Sequence, residues 1–582
     1  MNSSSTDSLA SPTPRVPAYE ALAAEIKRIG TQAVFGLMSD DTALLVTTLD
    51  SMGVRFYGAR HENNAISMAE GYAAATGKLG IAIIGRGPAT ANAMHGAVYA
   101  MRTGTRVLLI FGYRSTPTGT GGNVDVHTAG LGPDAKAFNA EGVLQAAGFA
   151  TFVATESETA CRTMSSAIAS TLHGGCAALL LPQNVQFGLV DAPRAVADGV
   201  PATAATAPPR QRARQPAVDA AAAVLNRSRR PLFVVGHGAH RSGARAAIEQ
   251  LAAQVGAVIA TSLKAKDMFR GHPYHLGVVG SFSHSAGRRL IDEADCVVVF
   301  GAGLNQRTTS YGTSVPAGVP LVHIDASRSA IGRWFHADVA LIADALTAAE
   351  QLSAAVALKP DADKLFHTIE TRRRLADFDI ASDFQPAHTP RTMDPRSVAL
   401  ELDRLLPANR NAVYDAGNFL QILPYVSLLG PEHLKNSHDF ASIGMGFGTA
   451  MGFAVGTPDR TTVLFLGDGS FLMTLGELET VVREDIPLVI VLMNDCAYGA
   501  ELHYLKMRNM PVAKSVFLDI DFAPIAAGFG FETATVRTLD ELRALAPMLK
   551  NPTGAIFLDC KINASVVAPF LLETVEHERR KR

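Results

Sequence analysis

Apolar runs of β type alternate with stretches of helical period along the chain, and they fall into three blocks. In the first the runs are AVFGLM (33–38), GIAIIG (80–85) and RVLLIFG (106–112). In the second they are PLFVVG (231–236), CVVVFG (296–301) and PLVHID (320–325). In the third they are VLFLG (463–467), LVIVLMN (488–494) and AIFLDC (555–560). Strands that alternate with amphipathic helices predict an α/β architecture built on parallel sheets. The expected fold class is α/β, with three doubly wound parallel-sheet domains. Two stretches break the pattern. Residues 192–216 are rich in Ala and Pro and lack apolar periodicity, and 378–396 carry three prolines. The predicted domains are therefore 15–191, 217–356 and 397–565. The segments 192–216 and 357–396 link them, and a basic tail, 566–582, follows. The first and third blocks have similar texture, which leaves open whether they are related folds.

Length agrees, since 582 residues at about 150 per domain predict about three domains. A hydrophobic content of 48% against 18% charged residues predicts a large buried core. A net charge of −2 argues against a nucleic-acid binder that works through a basic surface. The five cysteines are scattered without a CxxC pair, as expected in a reducing compartment and not in a zinc site or disulfide frame. The first residues, MNSSSTDSLASPTPR, lack an apolar signal core, and no apolar run is long enough to span a bilayer. A cytoplasmic protein with no membrane partner is the expectation.

The most informative stretch is 463–501. A strand, Val463 to Leu466, runs into Gly467-Asp468-Gly469-Ser470. A helical stretch follows, and a second strand, Leu488 to Met493, ends on Asn494-Asp495. Strand, helix, strand implies a right-handed parallel crossover, in which both strands end at one sheet edge. Asp468 and Asp495 are thus predicted side by side there. Two carboxylates at one edge suit Mg²⁺, which takes carboxylate and phosphate oxygens. Gly467 and Gly469 let the backbone approach a phosphate, and the helix N-terminus behind them favours its charge. The residues themselves predict a site for Mg²⁺ and a diphosphate.

This unit resembles the metal and diphosphate motif of the thiamine-diphosphate (ThDP) enzymes, and the resemblance spans roughly residues 15 to 565. Its order is similar to that of the acetolactate synthase, pyruvate decarboxylase and benzoylformate decarboxylase group. That order implies a ThDP-binding fold twice, with a central nucleotide-binding-like domain between. Arg60-His61-Glu62, with Met68-Ala69-Glu70-Gly71-Tyr72 after it, resembles the family's activating segment. By that resemblance Glu62 bonds N1′ of the cofactor's aminopyrimidine and promotes the tautomer that activates C2. A carboxyl in an apolar pocket would have a raised pKa suited to sharing that proton. Gly85 to Asn92 resembles the family's turn that closes on the cofactor, with Gly87, Pro88 and Asn92 retained. Ile443-Gly444-Met445-Gly446 resembles the segment whose bulky apolar residue, here Met445, props the cofactor into a bent shape. Asp415-Ala416-Gly417-Asn418 resembles the loop that reaches the diphosphate from the other side.

One departure stands out. The family usually has Asn at the second metal position, and a gap-free alignment places Asp495 there, not Asn494. The metal ligands implied are Asp468, Asp495 and the carbonyl of Ala497, with Ser470, Tyr498 and Gly499 beside the cofactor. In the same register Glu501 falls where pyruvate decarboxylases carry a catalytic glutamate and where acetolactate synthases carry an apolar residue. As a catalytic acid/base it would act near C2; otherwise it is a solvated Glu stabilised by the helix dipole. Tyr498, His503 and His127 are lesser candidates.

In the central block, Gly236-His237-Gly238, Gly301-Ala302-Gly303-Leu304-Asn305-Gln306-Arg307 and Asp325 follow or end strands, as at the nucleotide edge of a doubly wound sheet. In the family this domain holds FAD, holds ADP or CoA, or is empty. Gly303-Leu304-Asn305 looks closer to the acyl-CoA branch. The tail residues Arg579, Arg580, Lys581 and Arg582 would meet CoA phosphates if the tail folds over the site, or fray into solvent. The resemblance implies a homodimer at least, and by expectation a homotetramer, because the family sets Glu62 of one subunit opposite Asp468 of its partner. The leading expectation is a ThDP- and Mg²⁺-dependent carbon–carbon lyase acting on a small molecule such as a 2-hydroxyacyl-CoA thioester. The alternatives are an acetolactate-synthase-like carboligase or 2-oxo acid decarboxylase, and a non-catalytic ThDP-binding protein.

Overall fold

The structure is a computed structural model that describes residues 14–116, 135–192 and 210–581. His127, Arg582 and most of 192–216 lie outside the described residues. The chain divides into two compact units. One takes in the chain as far as Thr206 with Phe447–Thr457 and Thr474–Ile486, and the other holds Ala207–Gly446, Pro458–Met473 and Pro487–Arg582.

In the first unit, β1 (Arg15–Pro17) precedes β2 (Ala33–Gly36), β3 (Arg55–Gly58), β4 (Gly80–Ile84), β5 (Val107–Tyr113), β6 (Ala150–Val153), β7 (Cys176–Pro182) and β8 (Leu189–Asp191). Strands β2 to β7 form a parallel sheet in the order β3-β2-β4-β5-β7-β6. β1 and β8 pair antiparallel, with Arg15 opposite Asp191. The second unit holds two further sheets. The central one is built from β9 (Pro231–Val235), β10 (Val258–Thr261), β11 (His275–Val278), β12 (Cys296–Phe300), β13 (Leu321–Asp325) and β14 (Val339–Ile342). Its order is β11-β10-β9-β12-β13-β14, all parallel. That is the 3-2-1-4-5-6 order of dinucleotide-binding sheets. The last sheet uses β15 (Arg410–Tyr414), β16 (Leu434–Asn436), β17 (Thr461–Gly467), β18 (Leu488–Asn494), β19 (Glu532–Val536) and β20 (Ala555–Lys561), in the order β16-β15-β17-β18-β20-β19. Counted within each sheet, the first and last share one strand order. The similar texture of the first and third blocks thus reflects the same topology.

The apolar runs are continuous because both faces of each sheet are covered. In the central sheet, Leu232 and Val234 of β9 join Val297 and Val299 of β12 in one core. Their neighbours Phe233, Val235, Val298 and Phe300 join the other. Side chains alternate across a strand, so each strand fills two cores at once.

Two helices of the first unit meet through glycines. A Cβ on Gly71, in the helix Glu62–Thr76, would strike the backbone of Thr449. A Cβ on Gly452, in the helix Met445–Gly456, would strike the backbone of Met68. Neither obstacle is a side-chain end that can swing away. The residues of the basic tail are mostly helical, Pro569–Lys581. Arg307 donates to the Phe570 carbonyl and to Thr574 Oγ1, Tyr311 stacks on His577 at 4.5 Å, and Arg508 pairs with Glu578. Arg579 donates to the Met507 carbonyl and Arg580 pairs with Glu576, so two of the basic residues are engaged within the chain. These contacts give the segment enough partners to order it.

Gly452→Ala should cost about 1–3 kcal/mol of stability by overpacking. A chemical-denaturation midpoint checks this, with Gly528→Ala as the control for a glycine without positive φ whose added Cβ meets nothing within 4 Å.

Candidate active site

In the second unit, β17 and β18 pair in parallel with Gly467 opposite Met493, so Asp468 and Asn494-Asp495 leave the sheet at one edge. Asp468 is buried at 2% exposure and opens the helix Asp468–Thr474. Its carboxyl lies in hydrogen-bond contact with that of Asp495. Burial pushes the Asp468 carboxyl up to about 6. Asp495 is raised well above the usual carboxylate range, first by burial and then by the charge of Asp468. Asp468 Oδ1 is buried and has no hydrogen-bond partner among the described residues. Two buried carboxylates in contact, one with an unused oxygen, fit a divalent cation. Among the described residues no group of three or more His, Cys, Asp or Glu side chains could hold a metal. Mg²⁺ needs no such group, since it binds through one or two carboxylates plus phosphate oxygens and water.

Asn494 and Asp495 differ in their partners. Asn494 Nδ2 donates to Asp559 Oδ1 at 2.9 Å, and its Oδ1 accepts from the Cys496 amide at 3.2 Å. It is 2% exposed and engaged at both ends of its amide. The turn is tight: Cys496 has φ +57°, and a Cβ on Gly499 would collide with the Asp495 carboxyl. Ala497 is buried and pairs with Val516 as an isolated antiparallel bridge. Tyr498 sets its ring edge-on to Phe517 at 4.6 Å and packs over Gly469, where a Cβ would meet it. The close approach explains why glycine stands at 469.

Sequence reasoning overlooked Asp415 as a side chain. It is fully buried, and its carboxylate gathers the loops expected at the diphosphate. It accepts from the Ala416 amide at 2.8 Å, the Gly444 amide at 2.7 Å, and the hydroxyls of Ser437 and Ser470. Burial pushes its pKa up and these donors pull it back. The Ser470 hydroxyl, expected at the cofactor, is thus committed at least partly to Asp415, and it also accepts from the Gly444 amide at 3.0 Å. Asn418 is likewise engaged, donating to the Val566 carbonyl and accepting from the Ala568 amide, both at 2.9 Å. Gly417, at φ +152°, and Gly444, at φ +87°, supply backbone that a side chain would strain. Met445 follows, 3% exposed, at the start of its helix. Glu501 is exposed on the first turn of Gly499–Lys506. His503 is buried, with its pKa lowered by burial and Nε2 without a partner among the described residues. The signal for Asp415 was available, since an acid ends a strand directly before Ala-Gly.

In the first unit, Glu62 is the first residue of its helix and is half-buried. Asn92 Nδ2 donates to Glu62 Oε2 and lies 3.3 Å from His61 Nε2. The turn resembling the cofactor-closing one therefore reaches the proposed activating carboxylate. Gly87, at φ +64°, makes the turn, and Pro88 begins the short helix that carries Asn92. Within the second unit a cavity of about 550 Å³ opens at the carboxyl edge of the central sheet. Gly303, Asn305 and Arg307 line it, with Lys264, His237 and Trp334. Lys264 is paired with Asp439, and burial lowers His237 to about 4.

Three family models match the chain. Residues 17–128 match the thiamine pyrophosphate enzyme N-terminal TPP-binding domain, 218–352 its central domain and 415–560 its C-terminal TPP-binding domain. A probable acetolactate synthase large subunit from Methanocaldococcus jannaschii is 26% identical over 90% of this chain and 88% of that protein. A sulfoacetaldehyde acetyltransferase from Roseovarius nubinhibens is 25% identical over 95% and 93%. A structure described as a candidate thiamin-diphosphate-dependent enzyme from Mycobacterium smegmatis superposes with a TM-score of 0.73 at 20% identity, covering 94% of this chain and all of that one.

In the metal-free protein the contribution of Asp468 to stability should fall as pH rises. Asp468 is protonated more readily when folded, so its penalty is absent below about 4 and complete above about 6. Mg²⁺ should therefore raise the melting temperature more at pH 8 than at pH 5. Asp495→Asn should stabilise the metal-free protein at pH 8, because it removes a carboxylate whose ionisation burial and the Asp468 charge oppose, while retaining Mg²⁺ binding. Calorimetric melts across pH, with and without Mg²⁺, check both.

Proposed function

Because the chain belongs to the thiamine-diphosphate-dependent enzymes, we propose that it makes or breaks a carbon–carbon bond next to a carbonyl, using ThDP and Mg²⁺. The observation that carries this is the buried Asp468–Asp495 pair with an unused oxygen. Asp468, Asp495 and the Ala497 carbonyl would hold Mg²⁺. Gly417, Gly444, Gly467 and Gly469 would present backbone to the diphosphate, and Met445 would support the rings. Bound ThDP would supply an electron sink for the pair released when the bond breaks. Glu62 would share a proton with N1′ of the pyrimidine, its carboxyl oriented by the amide of Asn92. Glu501 would add or remove the proton at the reacting substrate carbon.

Within this class the favoured reading is joining of a two-carbon acyl fragment to a small acceptor. It is supported by relatives named acetolactate synthase and sulfoacetaldehyde acetyltransferase that match about nine-tenths of the chain. A lyase acting on a 2-hydroxyacyl-CoA is the second reading, favoured by one observation: an exposed acid, Glu501, stands where acetolactate synthases are expected to carry an apolar residue. The central cavity would take the adenine-bearing group, FAD in the first reading and ADP or CoA in the second. Its volume and its place at the carboxyl edge of a 3-2-1-4-5-6 sheet support a nucleotide. A homodimer is the smallest assembly proposed.

Mass spectrometry of small molecules released from the purified protein should find ThDP together with FAD, or with ADP or CoA. Failure to bind ThDP even with added Mg²⁺ would refute the function. Trp334, the chain's one tryptophan, lines the cavity and should be quenched by the correct nucleotide. Glu501→Gln should lower turnover by roughly 10²–10⁴ with ThDP affinity kept, if the residue transfers a proton. Unchanged turnover would return Glu501 to a solvent role.

A further inference from the structure

The helix Glu477–Arg483, within the first unit, aims carboxylates at the turn that precedes Glu62. Glu477 is 1% exposed. Its Oε1 accepts from the Arg60 amide at 3.1 Å, the His61 amide at 3.0 Å and Asn64 Nδ2 at 3.0 Å. Its Oε2 accepts from Thr480 Oγ1 at 2.7 Å. Every one of these donors is neutral, and the Arg60 guanidinium is turned away to Glu479, with Nε to Oε2 at 2.6 Å. Just past the end of the same helix, Glu484 Oε1 accepts from the Gly58 amide at 3.2 Å, while Arg483 donates to the Gly58 carbonyl.

A carboxylate this buried, held by neutral donors, loses its hydration and is sustained by the number and placement of the hydrogen bonds it receives. Those bonds fall on either side of Glu62: on the backbone of residues 60 and 61 before it, and on the side chain of Asn64 after it. Asn63 is tied as well, its Oδ1 accepting from the Gly96 amide at 2.7 Å. The backbone that carries Glu62 is therefore fixed on both sides. Only its own torsions remain, and Asn92 restrains the carboxyl. A neutral amide at 477 would keep one acceptor but turn an NH₂ toward N–H donors.

We propose that Glu477 is a positioning residue for Glu62, setting the geometry in which that carboxylate meets the cofactor's pyrimidine N1′. The proposal rests on the reading of Glu62 as the activating acid. Two measurements test it. In the cofactor-free protein, amide hydrogen exchange at Arg60 and His61 should be at least about tenfold faster in Glu477→Gln, because each amide loses its buried acceptor. With Mg²⁺ and saturating ThDP but no substrate, exchange of the cofactor's C2 proton for deuterium, followed by rapid quench and NMR, should slow at least about tenfold in Glu477→Gln. It should slow similarly in Glu62→Gln, and the double variant should be no slower than the slower single one, as expected for residues acting as a unit. Glu477→Asp, which keeps the charge and both acceptors on a shorter stem, should fall between wild type and Gln; it carries the test if the Gln variant does not fold. C2 exchange at the wild-type rate in Glu477→Gln or Glu477→Asp, with Glu62→Gln slowed, would overturn the positioning role while leaving Glu62 intact. Wild-type exchange in Glu62→Gln would remove the activating role of Glu62 and the proposal with it.

Discussion

Two buried carboxylates in contact at one sheet edge set the requirement that the rest of the second unit meets. Burial raises the cost of ionising both Asp468 and Asp495, and the charge of Asp468 raises that of Asp495 further. Without a cation the pair must hold a proton; with one, both charges become an asset. The neighbourhood is consistent with the second state. Asp468 keeps an oxygen unused, and glycine stands at 469 and 499, where a Cβ would strike Tyr498 and the Asp495 carboxyl. Family models matching the three domains, and relatives aligned over nearly the full length, place this pair in a thiamine-diphosphate enzyme.

The pair is held by a layer that makes no contact with a metal of its own. Asn494 is anchored by Asp559, and Asp559 by the buried Lys561 at 3.2 Å and the Phe522 amide at 2.9 Å. That network sets the turn on which Asp495 sits. On the other side Asp415 collects four donors from three separate segments and so fixes the loops around Gly417, Gly444 and Ser470. The first unit repeats the device with Glu477, which holds the turn before Glu62. In the last two cases a buried acid receives several neutral donors and so fixes the backbone of segments remote in sequence. Such outer partners orient ligands and fix their geometry.

Much of this was legible in the sequence. Continuous apolar runs and their spacing led to three parallel sheets, because each strand must fill a core on both faces. GDG after one strand and Asn-Asp after the next placed Asp468 and Asp495 at one edge, because a parallel crossover leaves no other arrangement. What stayed hidden depends on contacts remote in sequence. Asp415 reads as part of a loop until Ser437, Gly444 and Ser470 are seen around it. Glu477 reads as a surface helix acid until its partners at Arg60 and His61, more than four hundred residues away, are known. Asp559, an acid inside an apolar strand, was, like Asp415, a flag in the text of the chain for a buried network. The tail was left open between folding back and fraying. Four basic residues suggest solvent, but Phe570, Thr574, His577 and Glu578 give the segment its partners.

The central claim is that Asp468 and Asp495 together hold the metal that carries the cofactor's diphosphate. Anomalous diffraction from crystals grown with Mn²⁺ and ThDP tests it most directly. The account predicts one strong peak within about 2.2 Å of carboxylate oxygens of both residues, with the diphosphate on its open side. A peak bound through Asn494 instead of Asp495, or ThDP bound with no metal between the two carboxylates, would contradict it.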